Sequence, residues 1–372
     1  YMLEGDTICI SKAAEDPVPI CGPVRLLARA RSAGGCGWAL LFRFQAMDGA
    51  WRDCPVAARD LSKSPGAVVA LFVDQGFAVR DKRRTTDLLG QLRSDELLET
   101  LGETGWIGSD FAHFITPSGT IVSKQGGTAG FVFTGTARHT RGARGTLDEW
   151  RANVVGGHPP RAALIGACAA IAPVTLAETT HPSFILHLFG NEPAGRIARN
   201  VASSVWGAPG CLQLSWQDPV KKIVAAIATA RDGLVILSGY TSAHARKLAG
   251  VAEALQAHDA TAGRVVVLST GADPITGGAR RLPTQSDAVV IVDLDTSDWD
   301  SDGDGLIARA AGSACGHFGP AVAQAFIAWD GKHSGFLSIC CDDILDALVK
   351  RRHLADDEMR QAAQALGALF GA

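Results

Sequence analysis

No Cys-x-x-Cys pair occurs anywhere in the 372 residues. Cys9, Cys21, Cys36, Cys54, Cys168, Cys211 and Cys315 are scattered, and Cys340 and Cys341 are adjacent. Zinc knuckles gather thiolates at short, regular spacings, so a zinc site has no support here. The odd count of nine, with no stretch resembling a signal peptide, leads us to expect reduced thiols in a cytoplasmic protein. Most of them should act as small core hydrophobes. Tyr1 precedes Met2, so we expect a fragment or an added first residue.

Long apolar runs are also missing. The longest uncharged one, Ala162 to Ala177, is rich in Ala and interrupted by Gly166 and Pro173. It falls short of the ~20 apolar residues needed to cross a bilayer, so a buried helix and no membrane partner are expected. Nor is there an excess of one charge. Lys and Arg number 35 against 38 Asp and Glu, a net charge of −3, which gives no global basic field to attract nucleic acid. With 47% hydrophobic and 20% charged residues, the chain has the composition of a globular protein.

Familiar catalytic signatures are absent too. There is no G-x-S-x-G elbow and no H-x-x-x-H pair. His139, His158, His181 and His187 fall on different predicted elements, each a surface or internally satisfied residue. Asp300 to Gly305 imitates the start of a calcium loop, but Ala311 stands where a bidentate Glu is required. A solvated acidic loop is expected there. Basic clusters at Lys82-Arg83-Arg84, Arg138–Arg144, Lys221-Lys222, Arg280-Arg281 and Lys350–His353 are each offset by nearby acids, and they are candidates for phosphate contact.

What is present falls into two parts. The first is β-rich: apolar runs at 24–30, 37–45 and 51–56, with Asp48-Gly49 as a hairpin signal between the last two. Helices are expected over 66–75 and, from the leucine spacing, over 84–101. A second hairpin is expected around Pro117-Ser118-Gly119, and a Gly- and Arg-rich loop over 134–144 closes this part. Helices over 147–155 and 161–176 follow. Nearly all-apolar strands at 184–189, 212–216, 234–237, 265–268 and 288–294 then alternate with helices at 194–205, 220–230 and 242–258. That pattern predicts a parallel sheet covered on both faces. Helices at 320–329, 342–350 and 356–370 finish the chain. The expected domains are 1–145 (β-rich α+β), 146–335 (ATPase-like) and 336–372 (C-terminal helices).

The first strand of the second part ends in Phe189-Gly190 and runs into Asn191-Glu192-Pro193-Ala194-Gly195-Arg196-Ile197. The spacing Gly-x-x-x-x-Gly between a strand and a helix is that of a phosphate loop. Arg196 occupies the lysine position and Ile197 the hydroxyl position. Beyond it come Ser204-Val205-Trp206-Gly207 and Ser215-Trp216. Gly105-Trp106, Gly145-Thr146-Leu147 with Trp150, Leu268-Ser269-Thr270-Gly271, and Phe318-Gly319 complete a series of short elements. In this order they resemble the domain of unknown function 927 family, found in primase-helicase-like proteins of phages, plasmids and other mobile elements. Ala272 stands where that family usually has Glu.

The resemblance implies an α/β fold with a RecA- or AAA-like parallel sheet, helices on both faces, a smaller β-rich domain before it and C-terminal helices after it. It also places Ser238 and Gly239 where the two acids of the Walker B strand belong. Phosphoryl transfer in such proteins depends on a few placed charges. Arg196 is a broad planar fork in place of a compact ammonium, Ile197 offers Mg²⁺ no hydroxyl, and neither Ser238 nor Gly239 carries a carboxylate. Each loss of a preorganised group commonly reduces rate ~10²–10³-fold. We therefore expect a relic phosphate loop (Gly190, Gly195, Arg196, Ile197), no catalytic residues, no metal and no cofactor, with ATP and Mg²⁺ as the alternative. The expected role is that of a scaffold or accessory factor in mobile-element DNA replication or transfer. A divergent active ATPase or helicase and a nucleic-acid-binding module without nucleotide chemistry are the alternatives. DNA or RNA, a second copy of the chain, and a replication or transfer protein are the implied partners.

Overall fold

A computed structural model describes residues 1–11, 16–124, 130–135, 143–156, 159–177, 182–259, 263–276, 280–281, 289–299 and 304–328. These divide into two compact units, Tyr1–Gly102 with Thr128–Thr136, and Glu103–Gly127 with Ala137–Ala372. Residues 103–127, expected in the N-terminal domain, cluster with the second unit. The expected helices at 342–350 and 356–370 lie outside the described residues, as do Cys340, Cys341 and Lys350–His353.

Unit 1 begins with a small antiparallel sheet of β1 (Met2–Glu4), β2 (Thr7–Ile10) and β3 (Val18–Cys21). Its larger sheet is built on β4 (Val24–Arg31), β5 (Ala39–Gln45) and β6 (Trp51–Ala57), an antiparallel meander in which Asp48-Gly49 turns β5 into β6 as expected. Helices α1 (Ala58–Lys63), α2 (Pro65–Asp74) and α3 (Lys82–Gln91) follow. Phe42 and Phe44 of β5 meet Phe72 of α2 and Phe77 with ring centroids 5.0–6.0 Å apart. This aromatic cluster is the centre of the unit's core.

The helix expected over 84–101 requires correction. α3 ends at Gln91, and 97–101 form a strand, β7 (Leu97–Leu101), parallel to β4. Leu88 and Leu89 face the core as the spacing suggests. Ser94, however, hands its hydroxyl to the Leu27 carbonyl at 2.6 Å, and the Arg29 N–H reaches the Glu96 carbonyl at 2.9 Å. Pairing with a strand some 65 residues earlier in sequence overrides the local periodicity. The chain then forms an antiparallel sheet belonging to unit 2, β8 (Gly105–Ile107), β9 (His113–Ile115) and β10 (Ile121–Ser123). It returns to unit 1 as β11 (Phe131–Phe133), parallel to β7.

Unit 2 continues with α4 (Leu147–Trp150), extended by a π-helical turn over Arg151–Val155, and α5 (Arg161–Leu176). Strands and helices then alternate: β12 (Phe184–Phe189), α6 (Glu192–Trp206), β13 (Gln213–Ser215), α7 (Val220–Ala228), β14 (Gly233–Tyr240), α8 (Ala245–Asp259), β15 (Val265–Gly271), β16 (Arg280–Arg281) and β17 (Val290–Asp295). Two further helices, α9 (Asp304–Ser313) and α10 (Phe318–Ala328), end the described chain. The sheet order is β13-β14-β15-β12-β17-β16. All neighbours are parallel except β16, which runs antiparallel to β17.

Because side chains alternate along a strand, each strand feeds two cores. Phe184, Leu186, Leu188, Ile236, Val266 and Leu268 pack on α5, α6 and α10. Ile185, Val235, Leu237, Val267 and Ile291 pack on α7 and α8. Burial on both faces explains why these strands read as unbroken apolar runs. After β12 the chain crosses to the far edge of the sheet, while β17 takes the place on the other side. The C-terminal end of β12 is therefore a point where strand order reverses, the usual place for a ligand crevice in an open α/β sheet.

Candidate functional site

Gly190 follows β12 at that point with φ +98°. A β-carbon there would run into the Ser297 hydroxyl and stand 3.1 Å from an Asp295 carboxylate oxygen. Gly190 is thus required by the backbone, whatever the loop binds. A phosphate loop needs free backbone N–H groups turned toward a common centre. In this chain α6 already starts at Glu192, two residues past Gly190, with Asn191 as its cap.

Four N–H groups of this turn are taken internally. That of Gly190 reaches the Gly271 carbonyl at 3.3 Å, and that of Asn191 the Thr296 hydroxyl at 3.0 Å. Pro193 has no N–H. Ala194 donates to the Asn191 side-chain oxygen at 3.3 Å and Gly195 to the Asn191 carbonyl at 3.0 Å. The Asn191 amide is itself tied to the Trp299 carbonyl at 3.1 Å.

Gly195 sits inside the first turn of α6, where a β-carbon would touch Thr270 at 3.3 Å. Its smallness serves helix-on-sheet contact. Ile197 is fully buried in the core beneath α6, and Arg196 is exposed. A buried cation beside the loop is Arg199, one turn further along and only 7% exposed. Its guanidinium bonds Glu192 at 2.8 and 3.5 Å and the Thr270 hydroxyl at the end of β15. Glu192 and Asp295 thus both present carboxylates beside the loop. The hydroxyl and N–H of Ser297 hold Asp295 below the usual carboxylate range.

Ser238 and Gly239, where the resemblance implies the Walker B acids, lie at the end of β14. Ser238 donates to the Leu214 carbonyl at 3.2 Å, and Gly239 lies in an irregularity of the pairing with β15. No carboxylate is supplied by either residue.

A second group of polar side chains, in which the motif residues Trp216 and Ser269 meet His187, lies under the α7–α8 face. His187 on β12 is fully buried, with Nδ1 2.8 Å from Ser269 Oγ and Nε2 2.9 Å from the Asp273 carbonyl. The Trp216 indole N–H donates to the same Ser269 oxygen at 2.9 Å. A carbonyl accepts only, so Nε2 carries the proton and Nδ1 receives the Ser269 hydroxyl. Burial favours the neutral imidazole. Burial is the main cause that lowers its pKa, against the opposing pull of its bond to Asp273 and the charge of Asp293. Tyr240 packs edge-on against both His187 and Trp216, at 5.2 and 5.1 Å. This is a closed, satisfied core network.

The remaining motif residues are packing residues as well. Trp106 donates to the Val174 carbonyl, Trp150 to the Ser204 hydroxyl and Trp206 to the Ala170 carbonyl, at 2.8–2.9 Å. Trp150 stacks on Phe318 at 4.5 Å, and Thr146 with Glu149 forms a reciprocal capping box at the start of α4. Gly105, at φ +93°, passes so close to Asp232 that a β-carbon would lie 2.6 Å from its carboxylate.

Among the described residues no group of three or more His, Cys, Asp or Glu is placed to hold a metal, and no helix is long and apolar enough to cross a membrane. Asp300–Gly303 of the acidic loop and residues 138–142 of the arginine-rich segment lie outside the described residues, as do His139, His158 and His181.

A family model, "Domain of unknown function (DUF927)", matches residues 7–256, more than half of the chain. No curated protein matches it. A solved structure described as "SCCmec type IV Cch - active helicase" is similar, with a TM-score of 0.62 and 14% identity, covering 99% of this chain and 74% of that one. At that identity the likeness is one of fold: a mixed α/β architecture shared with a helicase.

Proposed function

We propose, from the premise that this chain belongs to the domain of unknown function 927 family, that it is a catalytically inactive P-loop ATPase-like protein. Its role is that of a scaffold or accessory factor in the DNA replication or transfer of a mobile element. Five parallel strands with helices on both faces and a glycine turn at the strand-order reversal support a RecA- or AAA-like core. The observation that carries inactivity is the turn itself. Four of its N–H groups are bonded within the protein, one residue is Pro, and two carboxylates flank it. Glu192 is paired with Arg199, so the charge that repels a polyphosphate here is that of Asp295. Calorimetric titration with ATP and with ADP, each with Mg²⁺, tests this reading. The expected result is no heat of binding, and saturable binding that Gly195→Trp removes would refute it.

Nucleic acid is the partner class this reading favours, and unit 1 offers an observation for it. The Arg25 guanidinium lies over the Trp51 ring at 5.6 Å and that of Arg31 over Trp38 at 5.7 Å. Both indoles are exposed, at 52% and 42%. Exposed arginine–aromatic pairs suit stacking on unpaired bases, worth ~1–3 kcal/mol per base. Weaker binding of a single-stranded oligonucleotide by Trp38→Ala and Trp51→Ala is expected, measured by fluorescence anisotropy at low salt. Unchanged binding by both variants would remove this partner.

A further inference from the structure

The face of the unit 1 sheet that packs Phe42 and Phe44 against α2 and α3 continues beyond those helices at one end. Side chains alternate along a strand, so Leu40 and Trp38 share that face with Phe42. Register across β5, β4 and β7 sets two rows there. Leu40, Arg29 and Leu97 are direct neighbours in the first. In the second, one step past the Ala30–Ala39 pair, Trp38 lies against Arg31, with the guanidinium 5.7 Å from the indole, and Arg31 in turn pairs with Glu99. Leu40 is held by the core beneath. Trp38 is 42% and Leu97 48% exposed, and both arginines are exposed.

Exposed Trp and Arg beside an aliphatic side chain are the kind of residues that anchor protein interfaces. Among the described residues Arg29 and Arg31 make no ion pair. Glu99 offsets one of the two charges, and Asp95 and Glu96 are exposed just before Leu97. Charge complementarity therefore favours a segment with few carboxylates over one charged at every unit, and Leu97 adds nothing to base stacking. Strand rise and spacing set Trp38 and Leu97 roughly 12 Å apart on a diagonal, with the arginines between them. Residues i and i+4 of an extended peptide span about the same distance, and i+2 points to the same side. We infer that this face docks an extended segment of a partner protein with the pattern apolar-x-acidic-x-apolar. The carboxylate meets Arg29 and Arg31, and the flanking side chains cover Trp38 and Leu97. A single strand on Trp38 and this segment exclude one another, and Leu97 tells them apart. The assignment holds whatever the β12–α6 turn binds.

The probe is a fluorescein-labelled peptide, Gly-Ser-Phe-Ser-Glu-Ser-Leu-Ser-Gly, titrated with the full chain at low salt and read by anisotropy. A second peptide carries Lys in place of Glu. Wild type should bind the Glu peptide and not the Lys peptide. Trp38→Ala and Leu97→Ser should each weaken the Glu peptide about tenfold, as loss of an anchor does. Leu71→Ser, at a leucine of α2 that is 42% exposed, should leave it unchanged. The double variant Arg29→Glu/Arg31→Glu should transfer the preference to the Lys peptide. No binding of the Glu peptide, equal binding of the two peptides, or an equal loss from Leu71→Ser overturns the proposal. A single-stranded oligonucleotide that Leu97→Ser weakens, with the Glu peptide unbound, assigns the face to nucleic acid and overturns it as well.

Discussion

Replacing His187 with Phe keeps the ring and removes both nitrogens from a site with no solvent. Two groups then lose their partner: the Asp273 carbonyl, which accepted from Nε2, and the Ser269 hydroxyl hydrogen, which Nδ1 accepted. The Ser269 oxygen keeps the Trp216 indole N–H. Each orphaned buried group costs ~1–3 kcal/mol, so we expect a loss of about 2–4 kcal/mol at pH 7.5. The pH dependence gives a sharper signature. Burial holds the His187 pKa below its ordinary value of 6.5, so below pH 6.5 the unfolded chain takes up a proton that the native state refuses. The contribution of neutral His187 is fully present above 6.5 and is lost as pH falls toward the folded pKa, at up to ~1.4 kcal/mol per pH unit. The variant has no such group. Urea unfolding of both proteins at pH 7.5, 6.5 and 5.5 should therefore show their stabilities converging on acidification. A difference that stays constant with pH, or a loss under 0.5 kcal/mol at pH 7.5 (well below the ~1–3 kcal/mol of a single orphaned group), would refute the reasoning.

Three further outcomes follow from the same coordinates. Gly105→Ala should destabilise unit 2 by ~2 kcal/mol or more, since φ is +93° and the new methyl meets Asp232; chemical denaturation with a near-neutral midpoint would contradict this. Trp150→Phe retains the stack on Phe318 but leaves Ser204 without its indole donor, so a loss of about 1 kcal/mol from the hydrogen bond, plus repacking, is expected in the same assay. Burial also raises the Asp232 pKa against the N–H bonds of Trp106 and Arg264. Its raised value means that the native state binds the extra proton, so stability from this group is greatest below the ordinary carboxylate pKa and falls as pH rises through the folded one. Asp232→Asn should flatten that part of the acid stability profile, and an unchanged profile would contradict it.

Much of unit 2 was legible because its strands are apolar on both faces and alternate with helices, so local composition and connectivity agree. The glycine turn was found from Gly190 and Gly195 in the same way. What the spacing could not give was the backbone of the turn. Gly-x-x-x-x-Gly is compatible with an open cradle, but Asn191 as cap and Pro193 in the first turn start the helix early and close it. Asn191-Glu192-Pro193 was the available signal, since a capping residue just before Pro marks a helix start. The Arg199–Glu192 pair and the His187–Ser269–Trp216 network join residues 7 to 82 positions apart, and no periodicity reports such meetings. The strand β7 was misread for the same reason: Leu97, Leu98 and Leu101 repeat the spacing of a helix face, while their pairing partners lie in β4 and β11.

Release of inorganic phosphate from ATP by the full chain, with Mg²⁺ and with or without single- and double-stranded DNA, tests the central claim most directly. A closed turn, a core-facing Ile197 and a β14 end without carboxylates predict release no faster than in buffer under every condition. DNA-stimulated release that Gly195→Trp abolishes would contradict the account, because the turn would then have to open and recruit acids from elsewhere in the chain.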